Sequence, residues 1–535
     1  MGTRAADAGG MVFLKPEVKL EPLLCGWYAW THLISPVQHA MNVTYRQLPL
    51  LQSFVTNPAI HFAASKDPSL FAGPFVDLER DQLNDAKALL ADMQRRCAML
   101  IRMAKDIREQ DTQLQNGAKG YSLSDFYRGL PETLAGLVEF NYDINNHPRL
   151  RFYEELIYDE HERDGLSQIM LSRVEERNRT FFMSTPRLKK NGDVLLQLPF
   201  SSEKLDMLSA SRTEPQSLDE MSAALGVSKE GRPTFECLFT TEAPTRAHSS
   251  SAGEVRVRYF GHACVLLQAG GVSILVDPMV AFEEAHEDNR FVYADLPNHI
   301  DYVVLSHNHQ DHCAPEILLQ LRHRIGQILV PSCNAGNICD PSIELALHYL
   351  GFRNVRSMRA FDVVEFRVGR ITSLPFPGEH VDLDIHSRHG IYIEIAGRRF
   401  SFLVDSDGSD PLLFRRIARR IGRELDALFI GMECHGAPLT WLYGPLLTRP
   451  ISRRDDESRR LSGLDSQRAW NILQEFDSRK IFVYAMGQEP WLRYIMGLEY
   501  TPDSVQLKEM EALLARCHEA GREAEYLYVS RDMQF

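Results

Sequence analysis

The residues with the clearest chemical potential form one heptapeptide, Ser-His-Asn-His-Gln-Asp-His, with three imidazoles and a carboxylate. It follows an apolar run, 302–305, that reads as a buried strand. His307 and His309 are two residues apart, so on extended backbone their side chains point the same way. Asp311 and His312 are adjacent and diverge, which suits a second ion beside the first. A solvated polar loop would not need three histidines, so this stretch predicts a metal site.

Three further segments with possible metal ligands lie downstream, each just after a predicted strand. They contain Glu379 and His380, then Asp405 and Asp407, then Glu433, Cys434 and His435. Strand ends at one edge of a sheet converge in space, so residues distant in sequence can share a site. We favour Asp405 over Asp407 because it directly follows its strand. The residues alone leave open whether Glu379 or His380 faces the metal.

Several neighbouring side chains have simpler interpretations. His262 lies in a Gly-His-Ala turn, and we expect it to pack beside the ligands or support them rather than bind metal. His386 and His389 flank a predicted strand and are expected at the surface. Cys313 and Cys434 adjoin candidate ligands, but adjacent side chains diverge, so we interpret them as bystander thiols.

The elements that must position these residues change in character along the chain. The N-terminal part predicts a long helix over 77–115, further helix over 125–138 and 142–158, and a strand at 179–183. Residues 241–254, rich in Thr, Ser, Ala and Pro, are the clearest linker. We therefore expect an N-terminal domain over 1–245 and a catalytic domain over 254–535.

The pattern after the linker is of short apolar strands with intervening helices. Two strand-rich halves with outer helices predict a four-layer αββα sandwich for residues 254–535. The fold class is therefore α+β, with a helix-rich α+β domain preceding the sandwich.

Composition limits the classes of partner and compartment. The net charge of −13 leaves no basic surplus to neutralise phosphate, which argues against a nucleic-acid partner. Nine scattered cysteines without C-x-x-C pairs fit reduced thiols in the cytoplasm better than a disulfide framework. No run approaches the about 18 apolar residues of a membrane span, and no signal peptide is evident.

These residues together resemble a known superfamily. The Phe-Gly-His turn at 260–262, the Val-Asp-Pro turn at 276–278, the histidine-rich heptapeptide, Asp405 and His435 are similar to the metallo-β-lactamase superfamily. Hydrolases of that superfamily usually have histidine where this chain offers Glu379. That glutamate, the large N-terminal domain and the chain length resemble the CmlA-type di-iron β-hydroxylases.

The resemblance implies a ligand set for two iron ions. One iron would be bound by His307, His309 and Glu379, and the other by Asp311, His312 and His435. Asp405 would bridge the two ions, and Glu433 would adjust the cluster when substrate arrives. Independently, carboxylate oxygen mixed with imidazole suits iron or manganese, whereas a set richer in histidine suits zinc, which could only activate water.

The resemblance also implies the reaction and the partners. It predicts an O2-dependent monooxygenase with an external electron donor that β-hydroxylates an amino acid, aromatic and p-aminophenylalanine-like, in antibiotic biosynthesis. The substrate would be a thioester on a nonribosomal peptide synthetase carrier domain, and the enzyme a homodimer. The alternative is a di-zinc hydrolase of an ester, lactam or phosphoester, with His380 in place of Glu379.

Overall fold

The protein is described by a computed structural model that covers residues 10–160, 163–175, 179–244, 254–284, 289–497 and 499–535. Two seven-stranded sheets and three smaller sheets organise these residues. The larger sheets belong to the second half of the chain, where the predicted strands lie. The predicted linker lies mostly outside the described residues, so the domain limits 1–245 and 254–535 stay predictions.

The first large sheet contains seven strands, with antiparallel pairs at one end and parallel pairs at the other. Its neighbouring strands are ordered β15-β14-β13-β12-β11-β10-β23. The strands β10 to β12 are antiparallel and β12 to β15 are parallel. The bounds are β10 (Arg256–Tyr259), β11 (Val265–Ala269), β12 (Val272–Val276), β13 (Ile300–Val304), β14 (Ile325–Pro331), β15 (Val355–Met358) and β23 (Arg531–Gln534).

The second large sheet repeats this plan, with an antiparallel half followed by a parallel half. Its order is β16-β17-β18-β19-β20-β21-β22. The bounds are β16 (Val363–Phe366), β17 (Gly369–Leu374), β18 (Gly390–Ile395), β19 (Arg398–Leu403), β20 (Glu424–Gly431), β21 (Asp477–Tyr484) and β22 (Glu523–Tyr526).

The sheets pack face to face over a buried core that includes Val257, Leu267, Ile393 and Phe402. Apolar side chains alternate with outward ones along each strand, as two packed sheets require. Helices cover the outer faces: α12 and α13 on the first sheet, and α14, α17 and α19 on the second. The predicted αββα sandwich is confirmed. Its helices are α12 (Pro315–Leu321), α13 (Ile343–Tyr349), α14 (Pro411–Ile421), α15 (Leu439–Tyr443), α16 (Arg453–Ser458), α17 (Ser466–Leu473), α18 (Arg493–Met496) and α19 (Val505–Glu519).

The N-terminal segment is helix-rich, with small sheets ordered β8-β1-β9, β3-β2-β6-β7 and β4-β5. Its strands are β1 (Met11–Leu14), β2 (Val18–Leu24), β3 (Trp27–Tyr28), β4 (Val138–Tyr142), β5 (Pro148–Phe152), β6 (Ser167–Arg173), β7 (Val194–Leu196), β8 (Gln216–Ser217) and β9 (Phe239–Thr240). Its helices are α1 (Thr31–Ile34), α2 (Pro36–Asn42), α3 (Leu48–Thr56), α4 (Pro58–Ala64), α5 (Leu83–Arg96), α6 (Ala98–Gly117), α7 (Ser124–Tyr127), α8 (Glu154–Glu160), α9 (Lys204–Ala210), α10 (Leu218–Ala224) and α11 (Arg232–Glu236).

Several predictions for this segment were wrong in detail. The helix expected over 77–115 is two helices that meet at Cys97, where the backbone leaves helical geometry (φ −93°, ψ 15°). The helix expected over 125–138 is only α7 followed by turns, and 142–158 contains strand β5 before α8. Residues 179–183 form no strand. Tertiary packing decides these elements, since Phe140 of β4 packs against Tyr127 at 4.9 Å between ring centroids.

The N-terminal segment packs on the outer face of the first large sheet. One continuous hydrophobic cluster joins its residues, such as Leu20 and Leu171, to Leu275 and Val303 of the sheet and Ile317 of α12. This contact brings the N-terminal segment against the loop that follows β13, where the candidate ligands begin.

Candidate metal centre

Four candidate ligands from three separate strand ends converge in the first half of the site. His307 and His309 follow β13, Glu379 follows β17 and Asp405 follows β19, and donor atoms of all four lie within 4.8 Å of one another. His309 Nδ1 is 3.2 Å from Glu379 Oε1, and His307 Nε2 is 3.4 Å from Asp405 Oδ2. All four residues are buried. This arrangement is a preformed pocket for one metal ion.

A second group lies beside the first. Donor atoms of His262, Asp311 and His312 also lie within 4.8 Å of one another. Asp311 Oδ2 is 3.2 Å from His262 Nε2 and 3.4 Å from His312 Nε2. Asp405 connects the groups, because its Oδ2 is 3.0 Å from His312 Nε2 as well as close to His307. Asp405 therefore occupies the position that a bridging carboxylate needs.

A buried aspartate holds the rings of two histidines in place. Asp277 Oδ2 accepts a hydrogen bond from Ser306 Oγ at 2.6 Å and lies 3.0 Å from His312 Nδ1. Because the Ser306 hydroxyl donates to Asp277, it must accept from His307 Nδ1, 2.9 Å away. Both rings therefore direct Nε2 toward the site, which is how outer partners fix the tautomer of a metal-binding histidine.

The ring of His309 has the opposite orientation, with Nδ1 rather than Nε2 toward the other donors. Its Nε2 lies 3.3 Å from the buried hydroxyl of Tyr443 on α15, and its Nδ1 faces Glu379. The backbone also adapts to the site, since Asp277 (φ +39°) and Asp405 (φ +52°) both have positive φ angles. Such angles are uncommon outside glycine, and Asp tolerates them better than most residues.

The donors fit two metal ions. Among the described residues, His307 Nε2, His312 Nε2 and Glu379 Oε2 are buried without a hydrogen-bond partner, although buried polar atoms are normally paired. Burial lowers the pKa of His307 well below its usual value and that of His309 to about 4, which keeps both imidazoles neutral for ligation. The two groups together offer four imidazoles and three carboxylates, a donor set that suits iron.

A fourth carboxylate borders both groups. Burial, followed by the charges of Asp405 and Asp311, raises the pKa of Glu433 well above its usual value. Burial and the charges of Asp405, Glu433 and Asp311 raise the pKa of Glu379 in the same way. Three buried carboxylates and the partly buried Glu433 repel one another, and bound cations would relieve this repulsion.

The structure separates the two residues that the sequence left as competitors. Glu379 belongs to the first group of donors, whereas His380 does not. The His380 ring is buried 4.7 Å from the His309 ring and 5.6 Å from the His307 ring, between centroids. Asp407 also lies outside both groups and accepts a hydrogen bond from Ser409 N at 2.8 Å.

His435 does not join the donors in this structure. Its side chain is exposed, it lies outside both groups, and its carbonyl oxygen accepts a hydrogen bond from Gln506 Nε2. The residue that does lie against Asp311 is His262, which we expected to play a supporting part. The assignment of the ligand set stays a prediction.

Two histidines expected at the surface and two cysteines expected to be bystanders lie outside both donor groups. His386 is exposed, as expected, but His389 is buried, with Nδ1 2.8 Å from Ser373 Oγ and Nε2 3.1 Å from the Leu305 carbonyl. The surface expectation for His389 was wrong because its strand lies inside the sandwich. Cys313 and Cys434 belong to neither donor group, and all nine cysteines are free thiols.

Sequence reasoning missed contributions from the N-terminal segment. The Thr31 hydroxyl donates to the carbonyl of Cys313, the residue after the last histidine of the heptapeptide. His32 is buried between Trp30, 4.8 Å away between ring centroids, and Tyr443 at 6.0 Å. Burial, followed by the charge of His309, lowers the pKa of His32 to about 3. No local pattern marks these contacts, since Cys313 and Tyr443 are hundreds of positions away from Thr31 and His32.

An αββα sandwich with two adjoining groups of buried histidines and carboxylates defines a metallo-β-lactamase-fold protein with a dinuclear metal centre. Among the described helices, none combines the length and the apolar character that crossing a bilayer would need. The sequence model of the diiron non-heme beta-hydroxylase N-terminal domain matches residues 13–244, and that of the beta-lactamase superfamily domain matches residues 256–382.

Relatives extend this match over the whole chain. A curated protein of Streptomyces venezuelae, 4-amino-L-phenylalanyl-[CmlP-peptidyl-carrier-protein] 3-hydroxylase, is 32% identical over 97% of this chain and 99% of its own length. The crystal structure of CmlA, a diiron beta-hydroxylase from Streptomyces venezuelae, has a TM-score of 0.91 at 31% identity, covering 99% of this chain and 100% of that one. A CmlA variant with a glutamate-to-aspartate substitution matches with a TM-score of 0.89 at 31% identity, covering 98% of this chain and 100% of that one.

The chain belongs to the CmlA-type diiron non-heme β-hydroxylases. It is an enzyme, a non-haem di-iron oxygenase that uses two iron ions and O2. The sequence-based prediction of this family is confirmed, and the di-zinc hydrolase alternative is set aside by the full-length match.

Proposed function

We propose that this enzyme β-hydroxylates an amino acid held as a thioester on a nonribosomal peptide synthetase carrier domain, in antibiotic biosynthesis. The amino acid is aromatic and p-aminophenylalanine-like. The supporting observation is the match, over nearly the full length of both chains, to a relative whose name describes 3-hydroxylation of a carrier-bound 4-amino-L-phenylalanyl group. We further propose a cytoplasmic homodimer, in which residues 1–245 dimerise and dock the carrier and residues 254–535 carry out catalysis.

We assign the first iron to His307, His309 and Glu379, with Asp405 bridging to the second. The grouping of these four buried donors supports this assignment. Asp311, His312 and His435 would hold the second iron. His435 follows Glu433, whose carboxyl interacts electrostatically with Asp405 and Asp311, so the loop that carries it borders the second group.

His262 has a supporting task in this scheme. Its Nε2 lies 3.2 Å from Asp311 Oδ2, and its backbone N–H donates to Glu489 Oε1 at 2.7 Å. These two contacts fix its ring against the carboxylate that binds metal, which is how outer partners orient ligands.

When bound, the two irons supply reduction of O2 and oxidation of the substrate C–H bond, which no side chain can perform. One oxygen atom enters the β C–H bond and the other leaves as water, with two electrons from an external donor and two protons. The chain supplies positioning and a dry site. Asp277, Ser306 and Tyr443 hold the histidine rings, and the buried heptapeptide excludes water from them. Glu433 stands beside the donors and adjusts the cluster when substrate arrives.

The test uses enzyme produced with iron and zinc both supplied. We expect two irons per chain and an optical absorption that bleaches on reduction and returns with O2. Aminoacyl-loaded carrier should then gain one oxygen atom, by mass spectrometry, only with reductant and O2, and the label should come from 18O2. Free amino acid is the control substrate. A colourless di-zinc protein that releases the amino acid from the carrier without O2 would instead establish a hydrolase.

The ligand assignment has its own test. We expect His435→Gln to lose about half of the bound iron, since it removes a direct ligand. His262→Gln should keep both irons and bind them about 10- to 100-fold more weakly, as replacement of an outer partner does. If His262→Gln loses half of the iron and His435→Gln loses none, His262 is the ligand.

A further inference from the structure

Three basic side chains of the N-terminal segment converge on one buried carboxylate. Lys19 Nζ lies 3.1 Å and Arg187 Nη2 lies 3.0 Å from Glu21 Oε2, and Arg179 Nη2 lies 3.2 Å from Glu21 Oε1. Arg179 also reaches Glu316 of α12 at 2.8 Å. Three cations therefore share two carboxylates. Uncompensated positive charge in a place with little water is unfavourable.

The same three cations line a cavity of about 530 Å³ that opens to solvent. Arg173 and Lys190 are exposed at its rim, and the acidic residues Glu175 and Asp193 also line it. The lining thus carries five basic and two acidic side chains. Glu21 and Glu316, which pair with three of these basic groups, bring the carboxylates to four, so the surplus is one positive charge when Lys19 is protonated.

Two hydrogen-bond donors of the lining are buried without partners among the described residues. They are the hydroxyl of Ser172, on β6, and the Nε–H of Arg179. A buried donor normally has a partner, in the protein or in a bound molecule. Both atoms are buried behind the cavity wall, so an acceptor in the cavity would satisfy them once their side chains turn toward it.

The protonation of Lys19 is sensitive to what occupies the cavity. Burial, followed by the charge of Arg187, lowers the pKa of the Lys19 ammonium to about 7, although Glu21 acts in the opposite direction. Burial raises the pKa of Asp193, whereas the charges of Arg187 and Lys19 act in the opposite direction. A bound anion would stabilise the charged form of Lys19.

We propose that this cavity is a binding site for an oxyanion of the phosphate class. Lys19, Arg179 and Arg187 supply the charge, the Ser172 hydroxyl supplies a neutral donor, and Arg173 and Lys190 attract the anion at the rim. Tetrahedral oxyanions accept several hydrogen bonds at once, and arginine and lysine are the side chains that bind them in proteins.

The first experiment measures anion binding calorimetrically with the full-length holoenzyme, comparing sulfate and inorganic phosphate with chloride at matched ionic strength. Arg187→Gln should weaken sulfate binding about tenfold or more, and Ser172→Ala about threefold to tenfold, because each removes one donor. Ser172→Ala removes a hydroxyl without a partner among the described residues, so it should fold normally. Arg353→Gln, an exposed arginine paired with Glu203, is the matched control.

Binding should also depend on pH in one direction. Sulfate keeps its charge across the neutral range, so its affinity reports the protein. Lys19 faces Glu21, Glu316, Arg179 and Arg187, and Asp193 is nearby. Because sulfate binds the charged form of Lys19, affinity should be highest below pH 7 and fall as the pH rises past 7. Binding equal to that of chloride, or unchanged in both Arg187→Gln and Ser172→Ala, would overturn the proposal.

The source of the oxyanion is distinguished by a second ligand. Coenzyme A carries phosphate groups on a pantetheine arm like that of a carrier domain, and this possible source rests on the proposed function. Coenzyme A binding more tightly than phosphate, with the same loss in Arg187→Gln, would identify the arm. Equal affinity would identify free phosphate. The sulfate measurement requires neither carrier nor turnover, so its outcome is independent of whether the hydroxylation test succeeds.

Discussion

The sandwich and the N-terminal segment contribute to the metal centre in different ways. Every donor of the two groups comes from the sandwich, from loops at the ends of β10, β13, β17 and β19. The described residues of the N-terminal segment supply no donor to either group, but they touch the loop that carries most of the donors. Thr31 bonds to Cys313, His32 packs near Tyr443, and Arg179 pairs with Glu316.

Metal ligation and support of the ligands are therefore separable in this molecule. The ligands are fixed by sheet edges, where several strand ends converge. Asp277, Ser306 and Tyr443 of the sandwich hold the rings directly, and the N-terminal segment adds support from the outside of the first sheet. Substitutions should therefore have graded effects on iron binding, largest at the donors and smallest at the contact between the two regions.

Replacement of a central donor should have the largest effect. We expect Glu379→Gln to lose about half of the bound iron. Its kcat/KM should fall by more than about 100-fold, which is more than the loss expected when an outer partner of a ligand is replaced. His380→Gln is the matched control, because this neighbour is also buried but lies outside the donor groups. Metal content and single-turnover hydroxylation measure both variants. Equal loss of iron in the two variants would contradict the assignment of Glu379.

Removal of a contact that orients the histidine rings should reduce iron binding less than replacement of a donor does. Asp277→Asn keeps the size and tolerates the positive φ angle, but it replaces an oxygen that both Ser306 Oγ and His312 Nδ1 contact. We expect iron affinity to fall about 10- to 100-fold, measured by competition with a chelator. Asp301→Asn, whose carboxylate accepts from Ser273 N in the same sheet, should leave iron affinity unchanged. No change in Asp277→Asn would show that the ring contacts do not matter for binding.

The two regions also differ in how well their sequences predict them. Strands of the sandwich such as Val272–Val276 and Gly390–Ile395 are evident from the sequence, because apolar runs ended by turn residues mark them. The apparent helix over 77–115 misled because its apolar period continues through Cys97, with no Gly or Pro at the break. Residues 179–183 have an apolar pattern that packs without joining a sheet.

The site was predictable where chemistry is concentrated in the chain. The heptapeptide, Asp405 and Glu379 could be found because each follows a strand and carries a ligand type. The part played by Asp277 depends on Ser306, 29 positions away, and that of Thr31 on Cys313, 282 positions away. Such contacts exist only in the folded chain. His262 could have been weighted more heavily, because it too follows a strand end.

Loss of a supporting contact from the N-terminal segment should have a measurable but modest effect on stability and on iron affinity. Thr31→Val removes one hydroxyl while keeping its shape, and it leaves the buried carbonyl of Cys313 without this donor. We expect a loss of about 1 kcal/mol in the free energy of unfolding and a small decrease in iron affinity. Thr112→Val is the control, since its exposed hydroxyl also donates to a backbone carbonyl, that of Arg108. If Thr31→Val matched Asp277→Asn in iron loss, the two regions would contribute equally.

The smallest effect on iron binding should come from the contact between the regions, whose contribution to stability should instead depend on pH. Glu154 of α8 accepts hydrogen bonds from Gly336 N and Ser342 N of the sandwich, each at 3.0 Å, and burial raises its pKa to about 7. A raised carboxyl pKa means that its contribution to stability is fully present below the unfolded value near 4.5 and is lost as the pH rises to 7. The free energy of unfolding of the wild type, measured in urea relative to that of Glu154→Gln, should therefore fall by up to about 3 kcal/mol across this range. Glu155→Gln, at the exposed neighbouring position, should parallel the wild type, whereas a flat difference for Glu154→Gln would mean that the carboxyl is already ionised in the fold at acidic pH.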